Sequence, residues 1–173
     1  MGLEDVAAMR ALPHMTILQP ADHLETQQAV RWMIEHKGPV YMRLLRGQVP
    51  LVLDEYDYQF ELGKAKLLRD GADVLVISSG LMTMRALEAA QDLANHKVGV
   101  AVLHCPTIKP LDEARIVDAV RCKPRLVVVA ENHSVVGGLG LRSRLGVALL
   151  PRALAASVTL DQPGVTDTPQ REV

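Results

Sequence analysis

Two arginines in this sequence have a spacing that suits anion binding. Arg43 and Arg46 stand three residues apart in the segment RLLRG, beside Gly47, at the end of an apolar run. Two guanidinium groups can hold a phosphate or a carboxylate through forked hydrogen bonds, and a neighbouring glycine lets the backbone approach the ligand. The spacing alone leaves an alternative open, in which both arginines belong to a solvated strand end.

A second group of candidates follows the apolar segment LVVVA. It combines two titratable side chains with a glycine-rich turn, namely Glu131, His133, Gly137, Gly138 and Gly140. A carboxyl and an imidazole can transfer protons, and glycines between a strand and a helix resemble a phosphate cradle. The spacing GGLG matches neither GxGxxG nor GxxxxGKS/T, so close packing and left-handed turns stay open for the glycines, as does a structural hydrogen bond for the histidine.

Other kinds of catalytic or metal chemistry lack support in the sequence. The remaining histidines show no HxxxH or HExxH spacing, so a metal site is not expected. The serines do not lie in a GxSxG elbow, and Cys105 and Cys122 form no CxxC pair. No residue is therefore predicted to be catalytic, and both cysteines are predicted to be structural thiols.

The composition is that of a globular protein and excludes several classes of partner. The chain has 173 residues, of which 49% are apolar and 23% are charged, and its net charge is -1. Because no strong overall field draws such a chain to phosphate backbones, nucleic acid is not an expected partner. No apolar stretch reaches about 18 residues, so we expect a cytoplasmic protein without a membrane partner.

In the second half of the chain, strand patterns alternate with helical patterns. Strands are predicted at 73–79, 98–103 and 126–130, with helices at 83–94 and 110–120 between them. This alternation predicts a mostly parallel sheet with helices on its faces. Right-handed crossovers are the default for such units, so the carboxyl ends of the strands share one edge, where ligands or partners are expected.

The first fifty residues contain two helical and two strand patterns. The predicted elements are a helix at 3–12, a strand at 15–18, a helix at 22–36 and a strand at 40–45. Asp22 is placed to cap the second helix, with Glu25 in a capping-box relation to it. Residues 51–61 have no clear helical period and carry four acidic side chains, so they are predicted to be a linker between domains.

Five blocks of the sequence, in order, resemble the C-terminal part of transketolases, especially the separate C-terminal subunit of split transketolases. They are GLEDVAAMRALPHMTILQPAD, PVYMRLLRG, DVLVISSGLMTMRALEAA, HCPTIKPLD and VVVAENHSVVGGLG. The resemblance implies an α/β fold in which residues 1–50 end a thiamine diphosphate pyrimidine-binding domain and residues 51–61 are the linker. Residues 62–140 would form a transketolase C-terminal-type domain, with a mostly parallel sheet and helices on both faces.

The resemblance also implies an activity, in which a two-carbon ketol unit passes between sugar phosphates on the cofactor thiamine diphosphate. Arg46 stands where transketolases carry an arginine that contacts the substrate phosphate, and Arg43 matches an arginine of the related deoxyxylulose phosphate synthases. Those synthases and the 2-oxoacid dehydrogenase β-type enzymes share the domain order, so both stay open as alternatives. A non-catalytic interaction module is a third.

Parts that such an enzyme needs are not found in the sequence. In the family, the glutamate that activates the cofactor lies upstream of GLEDVA, and the GDG motif that binds Mg2+ and diphosphate is missing here. We therefore expect no cofactor binding by this chain alone, and an N-terminal transketolase subunit or N-terminal domains as its partner in a homodimer or heterotetramer. Residues 141–173 do not align with the family, and a frameshifted and a divergent C-terminus are both open.

Overall fold

The computed structural model describes residues 4–45, 47, 49–134 and 136–140, and the backbone of residues 155–158. In chain order its helices and strands are α1 (Asp5–Ala11), β1 (Thr16–Leu18), α2 (His23–Glu35), β2 (Val40–Met42), β3 (Lys66–Arg69), β4 (Val74–Ser78), α3 (Leu81–Ala94), β5 (Val100–His104), β6 (Thr107–Lys109), α4 (Glu113–Arg121), β7 (Leu126–Ala130) and β8 (Ala155–Val158). A short 3-10 helix lies at Asp54–Tyr56. Among the described residues, no helix has the length and apolar character needed to cross a membrane.

Five strands form the larger sheet, in the order β3-β5-β4-β7-β8. β4 pairs in parallel with β5 and β7, and β8 pairs in parallel with β7, whereas β3 runs antiparallel to β5. The three strands predicted from the sequence occupy the centre, which confirms a mostly parallel sheet. The sequence pattern does not predict β3, because its four residues KLLR include no β-branched or aromatic side chain.

Helices cover both faces of the larger sheet. Successive residues of a strand point to opposite faces. Leu75 of β4 shares a buried cluster with Ile116 of α4, whereas its neighbour Val76 packs in another cluster with Ala90 of α3. α3 and α4 therefore lie on opposite sides of the sheet, as predicted.

A smaller sheet joins the first fifty residues to the rest of the chain. Its order is β2-β1-β6, with β1 parallel to β2 and antiparallel to β6. β6 gives β1 a second neighbour, which matters because two strands alone make a marginal sheet. The sequence pattern does not predict β6, because it has only three residues and lies between Pro106 and Pro110.

The segment expected as a linker, residues 51–61, packs against both the first fifty residues and the larger sheet. Its side chains Leu53 and Tyr58 are buried in one cluster with Leu68 of β3. The backbone N–H of Leu53 donates a hydrogen bond of 2.9 Å to Asp22 Oδ2, at the start of α2. The segment is therefore an ordered layer between α2 and the larger sheet.

Helix caps explain where two helices begin. Asp22 Oδ1 accepts the N–H of Glu25 at 3.0 Å, as the sequence predicts for the start of α2. The Glu25 carboxylate accepts the N–H of Ala21 at 2.6 Å, so the reciprocal bond reaches one residue further back than a capping box would. α4 begins later than the sequence pattern predicts, because Asp112 accepts the N–H of Arg115.

Candidate functional site

The Arg43 side chain is buried as the chain leaves β2. β2 ends at Met42, earlier than predicted, and the Arg43 N–H continues the ladder by donating to Leu18 O at 2.9 Å. Its Nε donates to Asp5 Oδ2 at 2.8 Å and its Nη1 to the carbonyl of Asn132 at 2.5 Å. The side chain is only 5% exposed, so the guanidinium lies among protein groups from α1 and from the end of β7.

Asp5, the first residue of α1, binds this guanidinium through its carboxylate group. The Tyr41 hydroxyl donates to the same Asp5 Oδ2 at 2.6 Å. Burial raises the pKa of Asp5, but the hydrogen bond from Tyr41 and the charge and hydrogen bond of Arg43 outweigh it, so the net pKa is below its usual value. The ionised form is therefore the one that this arrangement favours.

His133 is buried beside the same carboxylate. Its Nδ1 donates to Ser134 O at 2.7 Å, which turns Nε2 towards Asp5 Oδ1 at 3.9 Å. That separation is longer than a hydrogen bond, and neither atom has another hydrogen-bond partner among the described residues. His133 therefore makes one structural hydrogen bond, and its side chain is buried away from solvent.

Glu131 occupies the amide groups that a bound phosphate would use. Its two carboxylate oxygens accept the N–H groups of Leu139 and Gly140, at 2.5 and 2.8 Å. Burial raises the pKa of Glu131, and these two hydrogen bonds lower it by less, so the net pKa is above its usual value. The glycine-rich turn thus binds a carboxylate of its own chain.

The glycines of this turn are required by close packing. A Cβ at Gly138 would lie 2.1 Å from Glu131 Oε2, and one at Gly137, whose φ is +80°, would lie 2.4 Å from Ala7 Cβ. Arg10 of α1 donates to the carbonyls of both glycines, at 2.8 and 2.6 Å. These contacts support the structural interpretation of the turn that the sequence left open.

The structure brings the two predicted groups of candidates together. Arg43, after β2, and the residues that follow β7 meet around Asp5 of α1. Arg46, the residue expected to contact the substrate phosphate, lies outside the described residues. The described part of this region therefore shows a polar junction between α1, the end of β2 and the end of β7, in which Arg43 pairs with Asp5.

A second polar cluster was not suggested by any motif. His104 ends β5 and places Nε2 3.0 Å from both carboxylate oxygens of Glu25 in α2. The Tyr58 hydroxyl also bonds to Glu25 Oε1. On the other side of the ring, His104 Nδ1 lies 2.7 Å from Thr83 Oγ1, which lies 3.0 Å from Ser78 Oγ.

The hydrogen bonds of this cluster have a consistent direction. Because an ionised carboxylate only accepts, Nε2 of His104 donates to Glu25, and Thr83 can donate to Nδ1 of a neutral ring. The order resembles a hydroxyl–histidine–carboxylate triad. All three side chains are fully buried, however, so no substrate reaches the hydroxyl and the network serves to join α2 to β5 and α3.

The sequence gives Glu25 a role at the start of α2 but none in this cluster. Glu25 has the spacing of a capping-box residue, and a glutamate there is expected at a helix surface. Its complete burial shows that the carboxylate has a second task, which is to bind His104. The histidine lies 79 residues away in sequence, so only the fold brings the pair together. In the part of the chain that the structure describes, no three His, Cys, Asp or Glu side chains are grouped as metal ligands would be.

The fold defines a protein with two α/β units, one built on the β2-β1-β6 sheet and the other on the larger sheet. The ends of β2 and β7 meet where Arg43 binds the carbonyl of Asn132. Comparison with known families assigns each unit. The pyrimidine-binding domain of transketolase matches residues 1–52, and the C-terminal domain of transketolase matches residues 63–142. The chain belongs to the transketolase family.

Individual relatives agree with this assignment. A transketolase family protein of Sinorhizobium fredii is 57% identical over 164 residues, which cover 95% of this chain and 47% of that protein. A 6-deoxy-6-sulfo-D-fructose transketolase subunit of Clostridium sp. is 44% identical over 140 residues, covering 81% of this chain and 43% of that protein. The chain thus spans about half the length of these relatives, and the first alignment extends into residues 141–173.

A solved structure gives the same result. A split-gene transketolase, described as an inactive β4 tetramer, superposes with a TM-score of 0.85 at 37% identity. The match covers 94% of this chain and 54% of that chain. The likeness therefore includes both units and their relative placement.

Proposed function

We propose that this chain is the C-terminal portion of a thiamine diphosphate-dependent transketolase-like enzyme, which transfers a two-carbon ketol unit between sugar phosphates in the cytoplasm. The observation that carries the proposal is the match of both units, in one arrangement, to a split-gene transketolase. In the complete enzyme the chain contributes scaffold and assembly contacts and one contact to the charged end of the substrate. It is proposed to be inactive without its N-terminal subunit or domains.

The proposed substrates are sugars with a terminal anionic group. The Clostridium relative is named for 6-deoxy-6-sulfo-D-fructose, and a sulfonate, like a phosphate, is a terminal anionic group with three oxygens that accept hydrogen bonds. A guanidinium group binds such oxygens through paired hydrogen bonds. We assign this contact to Arg46, which stands at the family's phosphate-binding position in the block PVYMRLLRG.

We propose that the N-terminal subunit or domains hold Mg2+ and thiamine diphosphate, because the GDG motif that binds them in the family is not found in this sequence. The described side chains of this chain have a different task, which is to hold the ends of the strands in place through the Glu25–His104 and Asp5–Arg43 pairs.

Calorimetry tests whether the chain completes an enzyme. Thiamine diphosphate and Mg2+ are titrated into the chain alone, into a candidate N-terminal subunit alone, and into a mixture of the two. The proposal expects ketol transfer only in the mixture, together with tighter cofactor binding than either part shows. A mixture in which the subunits associate but no sugar is turned over would indicate the non-catalytic interaction module instead.

Product analysis separates the related enzymes. The complete enzyme is supplied in turn with a ketose phosphate, with pyruvate and an aldose phosphate, and with a branched 2-oxoacid. Ketol transfer supports the proposal, whereas decarboxylation of pyruvate or of the branched acid would replace it with a deoxyxylulose phosphate synthase or a 2-oxoacid dehydrogenase. Arg46→Ala is expected to raise KM for phosphorylated acceptors only, with Arg31→Ala on the exposed side of α2 as the matched control.

A further inference from the structure

Asp5 and His133 face each other across a gap that no hydrogen bond spans. Nε2 of His133 lies 3.9 Å from Oδ1 of Asp5, and both atoms are shielded from solvent and unpaired among the described residues. The other carboxylate oxygen is occupied, since Oδ2 accepts from Arg43 at 2.8 Å and from Tyr41 at 2.6 Å. Whether a hydrogen bond closes the gap therefore depends on where His133 carries its protons.

The first ring nitrogen of His133 fixes the position of one proton. Nδ1 lies 2.7 Å from the carbonyl oxygen of Ser134, and because a carbonyl oxygen only accepts, Nδ1 carries a proton. A neutral ring then has a bare Nε2, which points one acceptor at another acceptor on Asp5. The imidazolium form carries a second proton on Nε2 and can donate it to Oδ1, so this form lets the two side chains pair directly.

The charges around the gap come from α1, from the end of β2 and from the chain after β7. The titratable and charged groups that face it are Asp5 and Arg10, Tyr41 and Arg43, and Glu131 beside His133 itself. Both carboxylates favour a positive charge on His133, and the two arginines oppose it. Asp5 lies within ion-pair distance of the ring, so its attraction is the strongest favourable contribution.

We infer that His133 binds Asp5 as an imidazolium ion, and that this ion pair makes the junction between α1 and the chain after β7 depend on pH. When Nε2 loses its proton the pair breaks, whereas Arg43 and Tyr41 keep their hydrogen bonds to Oδ2. The pair favours the protonated ring in the folded chain. Its contribution to the free energy of unfolding is therefore present below the ordinary histidine value of about 6.5 and decreases as pH rises above it.

Nitrogen NMR of the imidazole rings tests the charge of His133 directly. The full chain is labelled with 15N, the ring signals are followed between about pH 5.5 and 9, and His133→Gln identifies the signals of His133. His23, which is exposed at the start of α2, is the internal control. His133 should keep the signature of two protonated nitrogens at a pH at which His23 has already lost one proton.

Asp5→Asn should abolish this difference from His23. Arg43 and Tyr41 donate to the place of Oδ2, so the amide oxygen takes that place and the NH2 group takes the place of Oδ1. The NH2 group can then donate to a bare Nε2, and His133 should become neutral at the same pH. A wild-type His133 that loses its proton together with His23 would overturn the inference and indicate a water molecule in the gap, since water can donate to both acceptors.

Urea unfolding measures what the ion pair contributes. Between about pH 6 and 9 the ratio of folded to unfolded chain should fall about tenfold more in the wild type than in His133→Gln, whose amide donates at every pH. His23→Gln is the matched control and should keep the wild-type profile. Where His133→Gln does not fold, Asp5→Asn gives the same comparison, because its His133 is neutral throughout. A pH dependence in this range that survives the substitution would contradict the inference.

Discussion

The carboxylate of Glu25 lies 3.0 Å from Nε2 of His104, and this pair joins α2 to the end of β5 in the larger sheet. Both side chains are fully buried. The carboxylate also accepts hydrogen bonds from Tyr58 and from the N–H of Ala21. Each of these three partners is costly to lose, because the site is buried and no water can replace the lost hydrogen bond.

Removal of the Glu25 carboxylate should destabilise the whole chain. Glu25→Ala leaves His104 and Tyr58 without their hydrogen-bond partner in a buried site, and each unsatisfied buried group costs about 1–3 kcal/mol. For the two groups together, the free energy of unfolding measured with urea should fall by about 2–6 kcal/mol. Glu35→Ala, on the exposed end of the same helix, is the control and should change it by less than about 0.5 kcal/mol. A loss below about 1 kcal/mol for Glu25→Ala would contradict the role of the pair.

Gly138→Ala should destabilise the turn through a clash with Glu131. The added Cβ would lie 2.1 Å from Glu131 Oε2, and overpacking of this kind costs about 1–3 kcal/mol. In a Glu131→Ala background the clash disappears, so the same substitution should cost clearly less. Urea unfolding of the four proteins in this cycle gives the coupling energy. Additive effects would show that another contact, and not the carboxylate, requires the glycine.

Much of the architecture follows from the sequence, but the polar junctions do not. The three central strands and α3 are evident because apolar runs and helical spacings of Met84, Leu87 and Ala90 are local signals. β3 and β6 are short, and their pairing with β5 and β1 depends on residues far away in the chain. The partners of Arg43 are also far away in the chain, so the sequence does not reveal them. An arginine that binds phosphate and one that binds a buried aspartate look alike in sequence.

Glu131 should make the free energy of unfolding decrease as pH rises. Its pKa is raised above the usual 4.5 by burial, so the folded chain holds this proton more tightly than the unfolded chain does. Its contribution to the free energy of unfolding should therefore be largest below that usual value and decrease as pH rises through the raised pKa. Glu131→Gln should remove this part of the pH dependence in urea unfolding between about pH 4 and 7. An unchanged profile would refute the assignment.

Asp5 should change the pH dependence of stability in the opposite direction to Glu131. Its net pKa lies below the usual 3.8, because Tyr41 and Arg43 outweigh the effect of burial. The stability that it provides is present above that usual value and should be lost as pH falls through the lowered pKa. Asp5→Asn should lower the free energy of unfolding at neutral pH and flatten its decline in acid. A variant that declines in acid as steeply as the wild type would assign the acid sensitivity to other carboxyls.

The two cysteines should differ sharply in their reaction with thiol reagents. Cys122 is exposed after α4, whereas Cys105 is buried in the main core, where burial also raises the pKa of its thiol. Because the thiolate is the reactive form, N-ethylmaleimide should label Cys122 in the native chain and label Cys105 only in urea. Mass spectrometry of tryptic peptides locates the label, and Cys122→Ser should leave the native chain unlabelled. Labelling of Cys105 at a similar rate without denaturant would show that the core around β5 and β6 opens readily.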